Sequence, residues 1–393
     1  MGTLKLRGYV LYAGACLTCE SIRTWHRQDI SGKEVRGMFN SKKLSSIKGT
    51  SAWLLRLVTA AFIALTVLTF SAHEAKAAAP LRAGIDVSYH QGAIDWNAVK
   101  SSGVQFAFIR AGSYKSGTDA YFHQNMKGAT AAGIPVGVYV YSYAVTPEMA
   151  ANEGLFAVTV AKDYPVSLPI AYDIEDVYHR GMSRDQLQAL VNAFCRTVQA
   201  AGYYPLVYSS KNWFETRIGA VDWDVWVAQY NSACSYGRPY AFWQCTSSGA
   251  VPGINGRVDM NFQFKDYSAL IPANGFKTVA GRTYYMTNYM MYRGFLDLNG
   301  ATYYFEPLFG AMSTGLVATE RGMCFFGEDG KMQTGAVKIG DFLYYFDPAT
   351  GVLTPNATVV VGKKTYITNE MGVMIEIPTV APAPSTTTKS KKK

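Results

Sequence analysis

From Leu81 to about Tyr267 the chain alternates short apolar runs with longer amphipathic ones, which limits the fold more than any other feature. Strand-like runs lie at Ala83–Val87, Phe106–Arg110, Pro135–Tyr141, Leu168–Asp173, Pro205–Tyr208, Val225–Gln229, Ala241–Gln244 and Val258–Phe262. Helical periodicity falls at Asp95–Ser102, Tyr121–Ala132, Pro147–Val160, Ser183–Ala201 and Lys211–Thr216. Ser183 reads as an N-cap, with Asp185 and Gln186 in the first turn, and Gly202 as the stop. Such alternation calls for a parallel sheet covered by helices. Eight strands imply a barrel, yet about 185 residues is short of the roughly 250 a full (β/α)8 barrel takes. The last three strands are too close together for intervening helices. The expectation is an α/β barrel that is helical in its first part and strand-rich at its end.

From Gly275 the texture changes. Gly275-Phe276, Gly294-Phe295, Gly315-Leu316 and Gly335-Ala336 recur at roughly 20 residues. Each unit carries an aromatic strand: Tyr284-Tyr285-Met286, Tyr303-Tyr304-Phe305, Cys324-Phe325-Phe326 and Tyr344-Tyr345-Phe346. Asn299-Gly300 and Asp329-Gly330 are turn signals. A lone hairpin cannot bury its aromatics, so the units are expected to stack into an all-β hairpin-repeat solenoid. After Glu376 the chain turns Pro/Thr/Ser-rich and ends in lysines, the composition of a disordered tail.

The 393 residues carry a net charge of +9, but residues 1–77 hold 11 Lys/Arg against 4 Asp/Glu. The body is therefore near neutral and has no basic stripe, so no nucleic-acid partner is expected. Lys42, Lys43, Lys48 and Arg56 precede an apolar run from Leu57 to Phe70, and Ala75-Lys76-Ala77 has the small-x-small shape of a signal-peptidase site. The expectation is a cleaved secretory signal over 38–77 and a secreted, wall-associated protein. The alternative is a membrane anchor through residues 52–72, but an apolar core of about 14 residues falls short of the roughly 20 a span requires. Residues 1–37 fit no signal-peptide role, and Met38 would serve as a start. Cys16 and Cys19 form a CxxC without a second ligand pair, so no metal is expected. Cys234 and Cys245 flank one loop and are the cheaper disulfide pair, while Cys195 reads as a buried thiol and Cys324 stands alone.

The sharpest chemical signal is Pro169-Ile170-Ala171-Tyr172-Asp173-Ile174-Glu175-Asp176, an apolar strand running into three carboxylates. Residues two apart share a face, with Cβ atoms about 6–7 Å apart on an extended strand. Asp173 and Glu175 therefore face one way. Placing two acids together raises one pKa, and glycoside cleavage uses such a pair: a protonated acid for the leaving oxygen and an ionised group beside the cationic sugar. Asp86 and Asp259 lie near the ends of the first and last strands, neighbours in a closed barrel. Tyr141, Tyr143, Tyr208, Trp226 and Trp243 cluster at strand ends, where aromatic faces suit sugar rings. No Gly-x-Ser-x-Gly elbow, phosphate loop or metal-ligand spacing competes, and no cofactor is expected.

These residues resemble glycoside hydrolase family 25, the Chalaropsis-type lysozymes or N-acetylmuramidases. The resemblance rests on Gly84-Ile85-Asp86-Val87-Ser88 with Gln91-Gly92, Phe108-Ile109-Arg110-Ala111, Gly137-Val138-Tyr139 and Tyr172-Asp173-Ile174-Glu175. It continues through Val207-Tyr208, Trp226-Val227-Ala228-Gln229-Tyr230, Trp243-Gln244 and Val258-Asp259-Met260-Asn261. It implies an irregular TIM-like (β/α)5(β)3 barrel over 78–268 that cleaves the β-1,4 bond between N-acetylmuramic acid (MurNAc) and N-acetylglucosamine in peptidoglycan glycan strands. Glu175 would be the general acid, Asp173 the stabilising carboxylate, and Asp86 and Asp259 supporting acids. Tyr141, Tyr208, Trp226, Gln229, Trp243 and Arg110 would line the substrate groove. Inversion, retention and attack by the substrate's own acetamido group stay open.

Residues 275–375 resemble the cell-wall-binding, choline-binding-like repeats of secreted Gram-positive proteins. They depart from that pattern in lacking tryptophan, which weakens any cation–π cage for choline. Another wall polymer is the expected ligand, 376–393 the basic tail, and a monomer the expected state. Two competing readings are a non-catalytic wall-binding protein on a hydrolase scaffold and a hydrolase of another amino-sugar polymer such as chitin.

Overall fold

The computed structural model describes residues 79–378, together with the backbone of short strands in a separate unit, residues 1–78. In that unit Thr3–Leu6 pairs with Tyr9–Tyr12, and Thr24–Gln28 with Glu34–Met38, both antiparallel. Apart from Met38 and residues 376–378, the expected secretory signal and basic tail lie outside the described residues, as do Cys16 and Cys19.

Eight strands close into a barrel: β1 Arg82–Val87, β2 Phe106–Ser113, β3 Val136–Tyr141, β4 Val166–Asp173, β5 Pro205–Ser210, β6 Asp224–Ala228, β7 Phe242–Gly249 and β8 Val258–Gln263. Neighbours from β1 through β7 pair in parallel, and β8 closes the ring antiparallel to both β7 and β1. Helices fill the early connections: α1 Trp96–Ser101, α2 Phe122–Ala131, α3 Pro147–Ala161 and α4 Arg184–Ala200. After β5 comes only the short α5, Lys211–Trp213, running on into a wider turn over Phe214–Ile218. No helix intervenes between β6, β7 and β8 among the described residues.

Local chemistry sets the helix ends. Ser183 and Gln186 form a reciprocal capping box at the start of α4, which satisfies two N–H groups the helix cannot pair internally. Asp95 accepts from Asn97 N and Ala98 N at α1, and Pro147 opens α3 behind Thr146.

Period-two alternation sorts each strand into two layers. Phe106, Phe108, Leu206, Trp226 and Phe242 point into the barrel, where Phe108 stacks on Trp226 at 4.5 Å and meets Phe242 edge-on at 4.9 Å. Gly84 makes room for this filling, since a Cβ there would sit 2.6 Å from the Phe106 ring. The alternate residues Ile85, Val87, Ala107, Ile109, Val138 and Val207 face outward into a second core against the helices, joined by Leu187, Leu190, Val191 and Phe194 of α4.

That outer core continues beyond Tyr267. Val279, Tyr284, Met286, Met291 and Ala311 belong to it, although all lie in the repeats. Tyr284 donates to Ala200 O at 3.2 Å and sits where a side chain at Gly202 would be, while Arg293 pairs with Asp163 at 2.8 Å.

The repeats form antiparallel hairpins that begin at Gly275, Gly294, Gly315 and Gly335, each with positive φ. A further unit follows over Thr358–Val361, Lys364–Thr368 and Met374–Glu376. Asn299 and Gly300, both at positive φ, make the two-residue turn their sequence requires. Links between units recur with the repeat: Tyr284 bridges Ala311, Cys324 bridges Val352, and Tyr344 bridges Val373. Met312, Met332 and Leu353 lie against the turn glycines Gly330, Gly351 and Gly372, so flexible side chains fill the joints.

The expected Cys234–Cys245 disulfide is absent: both are free thiols, and Cys245 Sγ lies 3.4 Å from Met260 O. Cys195 is a buried thiol facing the outer core.

Candidate active site

The inward alternation does not stop at the apolar filling. One step further along each strand it places polar groups at the C-terminal mouth of the barrel, the end at which (β/α)-barrel enzymes carry their chemistry. Asp86 follows Gly84 on β1, Arg110 follows Phe108 on β2, Tyr141 follows Tyr139 on β3, and Asp173 follows Ala171 on β4. There they line a cleft of about 810 Å³ together with Glu175, Tyr208, Trp226, Tyr230, Gln244 and Asp259.

Asp259 stands directly opposite Asp86 in the antiparallel β8–β1 register, a position that brings side chains within about 5 Å at Cβ. Asp173 is in register with Tyr141 on one side and Tyr208 on the other. β4 ends at Asp173, so Glu175 lies beyond the regular strand. Ile174 N still donates to Tyr208 O at 3.1 Å, and that bond holds the segment in line for one more residue.

Asp86 is buried and oriented by a fixed network. Gln244 Nε2 donates to its Oδ2 at 2.9 Å and Asn261 Nδ2 at 2.7 Å. Gln244 Oε1 accepts from the hydroxyls of Tyr208 at 2.9 Å and Tyr230 at 3.0 Å, and Asn261 Oδ1 from the Trp226 indole at 2.8 Å. The indole can only donate, so the orientation of Asn261 is determined.

All four carboxyls sit above the ordinary range. Burial first, then the charge of Asp259, pushes Asp86 up to about 7 against the two amide donors. Burial and the neighbouring Glu175 raise Asp173 well above its usual value, and Arg110 opposes them. Glu175 is raised by burial and by Asp259, and Asp259 mainly by burial. Asp173 Oδ1 and Arg110 Nε are both buried without a hydrogen-bond partner among the described residues.

Because Asp86 binds its proton more tightly when folded, its contribution to stability is fully present below its ordinary value and is lost as pH rises through about 7. Asp86→Asn removes that dependence. Its melting temperature should match the wild type near pH 4 and exceed it by a few degrees near pH 8, on the order of 1 kcal/mol or more. Equal melting at both pH values would mean that Asp86 does not hold a raised proton affinity.

The loop after β3 is tied to this floor. Ser142 N donates to Asp173 O at 2.9 Å, and the buried Glu153 of α3 accepts from Ser142 Oγ at 2.7 Å and Tyr143 N at 2.8 Å. Tyr141 donates to Asp176 at 2.9 Å, while the Arg110 guanidinium lies between the Tyr89 and Tyr141 rings at 5.7 and 5.5 Å.

Of the residues singled out from sequence, Asp86, Asp173, Glu175, Asp259, Arg110, Tyr141, Tyr143, Tyr208 and Trp226 line the cleft. Gln229 and Trp243 do not. Trp243 lies on the outward phase of β7, packs in the outer core and donates to Gln229 O at 2.8 Å. The Gln229 amide holds Ser235, with Nε2 at 2.9 Å from its Oγ. Sequence reasoning missed Gln244, Asn261, Tyr89, Tyr139 and Tyr230. Counting in twos from Phe242 and Asp259 would have found Gln244 and Asn261, since each falls on the inward phase of its strand.

The family described as Glycosyl hydrolases family 25 matches residues 85–254. "Autolytic lysozyme" of Clostridium acetobutylicum is 31% identical over 181 residues, covering 45% of this chain and 54% of that protein. "Lysozyme M1" of Streptomyces globisporus is 30% identical over 194 residues, covering 45% and 66%. "Uncharacterized protein YegX" of Escherichia coli O157:H7 is 34% identical over 194 residues, covering 45% and 68%. The chain thus spans between about half and two thirds of the first two relatives. With that identity, that coverage and a family match across most of the barrel, the chain belongs to glycosyl hydrolases family 25.

Proposed function

We propose that the protein is a muramidase that hydrolyses the β-1,4 bond between MurNAc and N-acetylglucosamine in peptidoglycan. The observation that carries this reading is the meeting of Asp173 and Glu175 in one cleft, each with its carboxyl raised by burial and by charged neighbours. Of two acids at close quarters, the charge on one disfavours ionisation of the other, so the pair retains a proton more readily than either group alone.

Glu175 is half-buried at the cleft wall while Asp173 lies deeper beside Arg110. Once Glu175 carries the proton, its repulsion of Asp173 vanishes, and Arg110 favours ionised Asp173. Glu175 then protonates the glycosidic oxygen as the C1–O bond breaks. Asp173 stabilises the cationic sugar or orients its acetamido group. Water adds at C1 and returns a proton to Glu175, leaving a reducing MurNAc end. Asp86 and Asp259 support the site from the opposite wall. Exposed Tyr89 and Tyr230 flank the cleft as stacking surfaces for sugar rings.

The protein is proposed to act after secretion, as a monomer, with the stacked hairpins holding it to a wall polymer by contacts other than choline recognition. The matched family segment ends before those hairpins, so their ligand rests on the aromatic repeats alone. The test is digestion of purified peptidoglycan by the full chain, followed by mass spectrometry. The expected products are muropeptides with reducing MurNAc ends, and the initial anomer assigns the stereochemical route. Ends that are reducing N-acetylglucosamine, or no release, would remove the muramidase reading.

A further inference from the structure

The cleft is rich in acid, yet one cation at its mouth has no carboxylate partner. Lys115 sits at the tip of a tight turn between β2 and α2, where Gly112 pairs with Thr118 and Ser113 with Gly117. The turn is braced by Ser113 Oγ and Ser116 Oγ at 2.6 Å and by Ser116 N donating to Ser113 Oγ at 3.0 Å. The Lys115 ammonium lies 5.3 Å from the Tyr143 ring centre and 5.2 Å from that of Tyr178, and 3.5 Å from the Tyr178 hydroxyl. Among the described residues no ion pair includes it.

Ser116 and Tyr143 line the same cleft as the four acids. Two aromatic faces hold the ammonium in place without neutralising it, so its charge stays available to an anion. The floor repels anions: Asp86, Asp173, Glu175 and Asp259 lie within it. Arg110, the cation nearest them, is enclosed between two tyrosines and acts on Asp173. A substrate with an anionic substituent therefore has one favourable orientation, with that substituent over the rim at Lys115. In peptidoglycan, MurNAc carries such a substituent: a stem peptide joined through its lactyl ether and bearing free carboxylates.

We propose that Lys115, seated on Tyr143 and Tyr178, is a specificity determinant that takes a stem-peptide carboxylate and makes peptide-bearing strands the preferred substrate over peptide-free glycan. This rests on the muramidase reading for the identity of the glycan, but its recognition step is separable from bond cleavage.

Two measurements test it on the full chain. The first compares cleavage of intact peptidoglycan strands with strands stripped of peptide. The second measures binding, by calorimetry or NMR titration, of a MurNAc-containing disaccharide with and without a tripeptide. Wild type should favour the peptide-bearing form about tenfold, equivalent to 1.4 kcal/mol, and the preference should shrink as salt rises. Lys115→Ala should abolish the ratio, and Lys115→Arg should keep most of it. A ratio near one in the wild type, or one unchanged in Lys115→Ala, overturns the proposal. Absence of cleavage on both strands would defeat the muramidase reading, while the binding ratio still decides the role of Lys115.

Discussion

Glu175→Gln lowers the release of reducing MurNAc ends by about 10²–10⁴-fold, the range that a positioned general acid contributes. Glutamine keeps the size and polarity of the side chain but has no acidic proton for the leaving oxygen. The fold should persist, because Glu175 lies beyond the end of β4 and among the described residues its carboxylate makes no hydrogen bond or ion pair that the barrel depends on. The substitution also removes the charge that raises Asp173. Asp173 should therefore ionise at lower pH in the variant, which can be followed by NMR titration of its carboxyl carbon. Release of muropeptides within threefold of wild type, with unchanged melting, would show that Glu175 is not the acid. The same result would move attention to Asp173, the deeper of the two groups.

The strand–helix rhythm was legible because the strands below the mouth carry apolar residues on both faces, one filling the barrel and the other packing outward, in the early strands against helices. The eight strands fall where those runs do, within a residue or two at most ends. The acids at strand mouths were legible for the same reason: an aspartate closing an apolar strand has little to do except face the barrel opening. Trp243 shows where this reasoning fails. Its type and its nearness to a strand end fit a sugar platform, but its phase on β7 turns it outward into the core. Its neighbour Gln244 has no conspicuous chemistry by itself, yet it holds Asp86 and two tyrosine hydroxyls. A hydrogen-bond network across five strands leaves no local mark in sequence, because each member is an ordinary polar residue until the barrel closes. Lys115 was invisible for a related reason: its partners Tyr143 and Tyr178 come from two other loops. The shift to a 20-residue period at Gly275 marked where the architecture changes but not where the core ends, since Tyr284 and Met291 read as repeat residues and pack as barrel residues.

That mismatch predicts which shortened chain folds. Ending the protein near residue 270, where the barrel pattern stops, removes Val279, Tyr284, Met286 and Met291, all buried in the outer core. Fully burying such side chains is worth about 1.5–3 kcal/mol each, and part of the loss is shared with the surface left exposed around Tyr203 and Gly202. The expected cost is on the order of 5 kcal/mol, a fall in melting temperature of roughly 10 °C or more for a barrel of this size. Ending the chain after Ser313 instead keeps the Tyr284–Ala311 bridge and the Arg293–Asp163 pair, so its barrel should melt within a few degrees of the full protein. Calorimetry on both truncations separates the possibilities. If the shorter chain melts like the longer one, the first hairpin is merely resting on the barrel. If only the shorter chain is destabilised, the first two repeats are structural parts of the hydrolase, and wall recognition is left to the hairpins from Gly315 onward. Removing those later hairpins would then weaken retention on cell walls while leaving hydrolysis of soluble strands intact.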